Sequence, residues 1–220
     1  MFYFHAIWAS KKFFFSAWTQ HFQLWGRYNY EIKWKHTFDL PAIPLIQWCK
    51  ARFEYDQLEK DIDNYGVRIL ALRHPVAHDL RSVVAALKIS SDLERIGDYA
   101  SNISKRVKKL DEKISGDDAK VMDQLLEHTI EMLDETMVAY QHGNADLAVK
   151  SWHKDQEVDD EYVQFIRQQL EENKSKKSTE HTLQLIFIAK HIERSADHIT
   201  NIAEMVYYIQ TGENFEPEEA

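Results

Sequence analysis

The stretch Leu93-Glu94-Arg95-Ile96-Gly97-Asp98-Tyr99-Ala100-Ser101-Asn102-Ile103 returns as Ile192-Glu193-Arg194-Ser195-Ala196-Asp197-His198-Ile199-Thr200-Asn201-Ile202. Glu, Arg, Asp, Asn and Ile recur at the same spacing, 99 positions further along. Core packing asks only for apolar residues at helical intervals, so the return of charged and amide residues marks a duplicated unit. In the first copy Leu93, Ile96, Ala100 and Ile103 advance by threes and fours, the period of an amphipathic helix.

Working outward, the pattern predicts a helix over 53–72 that ends before His74-Pro75, because the residue before proline is disfavoured in the α region. A second helix is predicted over 76–110, with Leu80, Val84, Leu87, Leu93, Ile96, Ala100, Ile103 and Val107 inside. Ser115-Gly116-Asp117 interrupts the chain, and a third helix covers 118–141 up to His142-Gly143. Asn144 then caps one continuous helix to 173 that buries Leu147, Val158, Tyr162, Phe165 and Leu170. A polar loop over 174–178, with Ser178 as cap, precedes the last helix, which reaches 210 through Leu185, Ile188, Ile192, Ile199, Ile202 and Val206. The expected class is all-α, in two helical repeats over 51–113 and 114–212, with an acidic tail over 213–220. Only 6 Gly and 4 Pro in 220 residues suit long helices better than a turn-rich β protein.

A net charge of −9 argues against nucleic acid as a partner, since phosphate binding rewards basic surfaces. Cys49 is the only cysteine, which excludes an internal disulfide or a multi-cysteine zinc site and fits a reducing cytoplasm. No apolar run reaches the roughly 18 residues of a membrane span, and the aromatic start is a poor signal peptide.

Residues 1–50 differ in style from the rest. They hold 15 of the 27 aromatics, with six basic and two acidic residues, leaving 21 basic against 34 acidic residues, a charge of −13, for the remainder. Neither helical nor strand periodicity runs through them. Three readings compete: a membrane-surface or partner-docking segment, an extra aromatic subdomain, or the product of a shifted reading frame. With three helices per unit, the first repeat needs a counterpart of the 118–141 helix within these residues, and none is readable there. That gap favours the shifted frame.

Glu94, Asp98 and Asn102 follow at i, i+4 and i+8, as do Glu193, Asp197 and Asn201. At 100° per residue both rows lie nearly opposite the apolar stripe, which predicts two acidic faces turned away from the core. Asp155 and Asp159 add a second pair on the preceding helix; Asp56 answers Asp159 in the first repeat, whereas Arg52 stands in the place of Asp155. Carboxylates facing each other from adjacent helices repel unless a cation lies between them, and oxygen-only ligands suit Mg, Mn, Ca or ferric iron. The plainer reading is a solvated polar face. The second repeat carries the fuller ligand set. His198 adjoins Asp197 and is a further candidate ligand, while Arg95 and Arg194 either pair with the carboxylates or meet an anion. Glu-x-x-His is missing, which disfavours a di-iron oxidase of the helical-bundle type, and there is no His-Glu-x-x-His and no glycine-rich phosphate loop.

Leu72-Arg73-His74-Pro75-Val76-Ala77-His78-Asp79-Leu80-Arg81, followed by Asp92-Leu93-Glu94-Arg95-Ile96-Gly97-Asp98, closely resembles the first signature of the PhoU family. Asp155-Gln156-Glu157-Val158-Asp159 with Tyr162, and Ile192-Glu193-Arg194-Ser195-Ala196-Asp197, resemble the second; the similarity spans about residues 53–220. This resemblance implies two tandem three-helix bundles related by pseudo-symmetry, the first incomplete here. It implies metal clusters at Glu94 and Asp98, at Asp155 and Asp159, and at Glu193 and Asp197, with Fe, Zn, Mn or Mg as the ion. It also implies a cytoplasmic homodimer with no established catalysis, repressing the phosphate-starvation response. Its partners would be the ATPase subunit of a phosphate ABC transporter and a sensor histidine kinase, with the membrane reached only through them. Ala196 departs from the usual glycine that Gly97 keeps. Two other classes remain open from the residues: a metal-dependent hydrolase on a helical bundle, and a metal-free helical scaffold.

Overall fold

Six α-helices and no strand make up the described part of the computed structural model, which comprises residues 43–110, 114, 116–173 and 179–216, with side chains in the first helix from residue 57 onward. Helix α1 is Ile43–Arg73, α2 Ala77–Val107, α3 Gly116–His142, α4 Ala145–His153, α5 Asp155–Asn173 and α6 Thr179–Thr211. All belong to one unit beginning at Pro41. Among the described residues no helix is long and apolar enough to cross a membrane. The question of what residues 1–42 form, and the expected Ser178 cap, lie outside the described residues.

Most predicted ends hold within two or three residues. α1 stops at Arg73, ahead of His74-Pro75, and His74 and Ala77 on either side of the Pro75-Val76 step both take positive φ, 45° and 48°. α3 closes on Gly143 at φ 62°, where the Asn144 amide reaches back to the Ala139 carbonyl at 2.9 Å. The Asn144 side chain then accepts from the Leu147 amide at 3.0 Å, capping α4 as its type and position predict.

Two helices differ from expectation. α1 begins about ten residues earlier than its apolar pattern indicates, at Ile43. The single helix expected over 144–173 is divided at Lys154 into α4 and α5. At the junction the bonds shorten to i→i−3: Lys154 donates to the Ser151 carbonyl and Glu157 to the Lys154 carbonyl, both at 3.1 Å. Lys154 keeps helical dihedrals, φ −70° and ψ −17°, so residue propensity carries no sign of the break. What holds it is tertiary: Ser151 Oγ donates to the Met132 carbonyl and shares a hydrogen bond with Thr136 Oγ1, each at 2.8 Å, inside the core.

α6 is the central helix. α2 lies along one flank and α3, α4 and α5 along the others, while α1 packs on α2. Ala85 and Ile89 of α2 meet Ile202 and Ile209 of α6, with Leu93, Ile96, Tyr140 and Met205 around them. A second cluster joins Ala139, Ala148, Ala203 and Val206, edged by Leu147 and Trp152. Phe165, Met122, Leu125, Leu185, Ile188 and Val158 are also fully buried. Leu80 and Leu170, expected inside, are 41% and 55% exposed; each stands in an end turn of its helix. At the α2–α6 seam Arg81 Nε donates to the Ile209 carbonyl at 3.3 Å, placing a cation at the negative end of α6.

Candidate metal centre

α5 opens with Asp155 and carries Asp159 one turn later; α6 carries Glu193 and Asp197 at the same interval. Because α5 packs on α6, the two pairs face each other. The expectation that the Glu193 row turns outward is corrected here: Glu193 is only 7% exposed, and Asp197 and Asn201 are the members that reach solvent. Helical spacing does place this row opposite the main apolar stripe, but that direction faces solvent only in a helix with one buried face. α6 is flanked on several sides, so the direction opposite its main stripe is also covered.

Four carboxylates therefore share a partly dehydrated space. Glu193 Oε2 and Asp155 Oδ1 are buried without a hydrogen-bond partner. Burial pushes Asp155 up to about 7, helped by the negative charges of Asp159, Asp197 and Glu193. Burial, then the field of Asp197, raises Asp159 against the opposing pull of Lys190. Glu193 is raised by burial and by Asp197 and Asp159, although Lys190 bonds to it and works the other way. Such a group of carboxylates gains either protons or a cation.

Lys190, one turn before Glu193, supplies a cation from within the chain. Its Nζ donates to Glu193 Oε1 and lies 5.2 Å from the centre of the Tyr162 ring. Lys190 did not stand out in the sequence, although an i, i+3 pairing of Lys190 with Glu193 is readable in principle.

The first motif is arranged differently. Glu94 and Asp98 flank Arg95, whose Nε is 3.6 Å from Glu94 Oε2 and whose Nη1 is 4.0 Å from Asp98 Oδ2. Asn102 accepts from Lys105 Nζ at 3.4 Å. The side chain of Asp56, like that of Arg52, lies outside the described residues. Asn201 leaves the acidic group as well: its Nδ2 faces Asp92 Oδ1 on α2 at 3.4 Å. His198 has both ring nitrogens engaged across the same seam, Nδ1 with Asp92 Oδ1 at 2.8 Å and Nε2 with Tyr99 Oη at 3.5 Å. Arg194 lies over the Tyr99 ring at 5.4 Å instead of pairing as Arg95 does. His191 stacks on Tyr99 and accepts from Arg106 Nε at 3.2 Å. Burial and the charges of Arg106 and Arg194 lower its pKa and keep it a neutral acceptor.

Of the expected ligands, the structure thus brings together Asp155, Asp159, Glu193 and Asp197. Among the described residues no three such side chains converge closely enough to form a ready coordination shell. The donors are all carboxylate oxygens, two with unpartnered buried atoms, which fits a hard cation such as Mg, Mn or ferric iron better than zinc.

Residues 47–107 and 122–206 match the PhoU domain family. A phosphate-specific transport system accessory protein PhoU homolog of Zymomonas mobilis is 42% identical over 162 residues, covering 72% of this chain and 68% of that protein. The counterpart of the same description from Thermotoga maritima is 35% identical over 162 residues, 72% of this chain and 69% of its own length. Among solved structures, PhoU from Pseudomonas aeruginosa superposes with a TM-score of 0.75 at 32% identity, covering 80% of this chain and 85% of that one. The phosphate transport system regulatory protein PhoU from Streptococcus pneumoniae gives a TM-score of 0.75 at 28% identity over 84% and 86% of the two chains. With the repeated motifs, the all-helical fold and these matches in agreement, the chain belongs to the PhoU domain family.

Proposed function

We propose that this protein is a non-catalytic cytoplasmic regulator of phosphate uptake that represses the phosphate-starvation response. In this reading it works as a homodimer between the ATPase subunit of a phosphate ABC transporter and a sensor histidine kinase. Support comes from relatives described as accessory or regulatory proteins of phosphate transport, matched over 72% to 84% of this chain. The observation that carries the structural half of the reading is the facing of Asp155 and Asp159 with Glu193 and Asp197 across the α5–α6 contact. A hard cation held by these four residues would neutralise their mutual repulsion and tie α5 to α6.

The test is deletion of the gene with an alkaline phosphatase reporter in phosphate-rich medium. High reporter activity, returned to low by the intact gene, is the expected result. A reporter that stays low in the deletion strain, with no second copy present, overturns the regulatory reading.

A further inference from the structure

The two motif helices differ at a position beside the acidic group that the motif itself does not include. Lys190 precedes Glu193 by three residues, and the equivalent position in the first repeat, 99 residues earlier, is Ser91. In the first repeat the motif's own Arg95 lies between Glu94 and Asp98. In the second, Arg194 is drawn onto the Tyr99 ring, and Lys190 takes over as the neutralising charge.

Three features place Lys190 inside the group. Its ammonium bonds Oε1 of Glu193, a residue nine-tenths buried whose other oxygen has no partner. Its charge acts on Asp159 of the facing helix as well. Its second neighbour is the face of Tyr162, one turn beyond Val158 on α5. The Tyr162 ring is thus a second partner already beside the ammonium.

We infer that Lys190 is a built-in competitor for the cation at this site: its ammonium holds Glu193 when no ion is bound and must yield Glu193 Oε1 for an ion to be coordinated. The inference rests on the metal reading above and adds to it the residue that sets the affinity. It follows that the acidic group is partly neutralised without metal and binds divalent ions more weakly than its four carboxylates alone would. Release then occurs readily when the free ion concentration falls. The carboxylate set decides which ions enter; Lys190 decides at what concentration.

The experiment is titration of the full-length chain with Mn²⁺, following loss of the free-ion electron paramagnetic resonance signal, for wild type, Lys190→Met, Lys190→Arg and Asp197→Asn. Lys190→Met removes the charge at nearly constant length, and Lys190→Gln is the second neutral variant should the first fold poorly by circular dichroism. The neutral variants are expected to bind Mn²⁺ about tenfold more tightly, the scale of one charge-assisted hydrogen bond. Lys190→Arg should stay near wild type and Asp197→Asn should bind more weakly. Neutral variants that fold and bind Mn²⁺ no more tightly than wild type overturn the role of Lys190 while leaving the metal centre standing. Absence of Mn²⁺ binding in wild type and neutral variants alike overturns the metal centre and this inference together.

Discussion

Tyr99 and His198 occupy equivalent positions in the two repeats, 99 residues apart, and their side chains meet, Oη to Nε2 at 3.5 Å. Their neighbours repeat the relation in exchanged form. Asp92 of the first repeat bonds His198 at 2.8 Å, while His191, which stands where Asp92 does, stacks on Tyr99 with ring centres 5.6 Å apart. This is the pattern of a self-complementary contact, residue i meeting j and j meeting i, here within a single chain. The motif helices α2 and α6 therefore cross about a local two-fold axis that runs near Tyr99 and His198.

The Asp92–His198 contact should be measurable by a double-mutant cycle. Asp92→Ala and His198→Ala are each expected to lower stability by about 1–2 kcal/mol, and the double variant by less than their sum, with a coupling of about 1 kcal/mol. Urea denaturation of the four proteins checks it. Strict additivity would show that the pair is a neighbourhood without an interaction.

Stability in the presence of a chelator should fall as pH rises toward neutrality. Asp155 titrates near 7 in the folded chain and near the ordinary carboxylate value when unfolded. Between about pH 4 and pH 7 the folded state thus holds the extra proton, so raising the pH favours unfolding, and above the folded pKa the loss is complete. Partial solvent contact limits the total to about 1–3 kcal/mol. Asp155→Asn should flatten the melting temperature over this window and be more stable than wild type at pH 8. A wild-type profile already flat from pH 4 to 8 contradicts the crowding of charge.

Ser151→Ala removes a hydroxyl that joins α4 to both Thr136 and the Met132 carbonyl. A loss of about 1–3 kcal/mol is expected, since the buried Thr136 hydroxyl loses its partner. Ser151→Ala with Thr136→Val should recover part of this, because both polar groups then leave the core together. Chemical denaturation of the two variants distinguishes them.

Gly143→Ala tests the α3–α4 turn. The position holds φ 62°, and an added Cβ would stand 3.0 Å from the Gln210 side chain. About 1–2 kcal/mol of destabilisation is expected from the backbone, with Gln210 free to shift. Gly143→Asn, which tolerates the left-handed region better, should cost less by thermal melting.

Much of the architecture was legible because its signals are local. His74-Pro75, Gly143 and Asn144 punctuate the chain by their own backbone chemistry, and the repeated Glu, Arg, Asp and Asn identify the duplicated helix without reference to any contact. The division of the 144–173 segment was not legible, since Lys154 stays helical and the bend is held by Ser151 against α3. Nor was the different fate of two arginines at matching positions, Arg95 between its acids and Arg194 over Tyr99, which depends on what faces each helix.

By itself, then, the sequence determined the helical segments, most of their ends, the duplication and the four carboxylates that now face each other, because periodicity, caps and residue type act within a few residues of chain. The tertiary structure decided that Glu193 is buried, that Lys190 neutralises it, and that Asn201 and His198 belong to the α2–α6 seam. The physical reason is the position of α6. A helix covered on several flanks has no single solvent face, and which of its polar residues lose water depends on the helices packed around it.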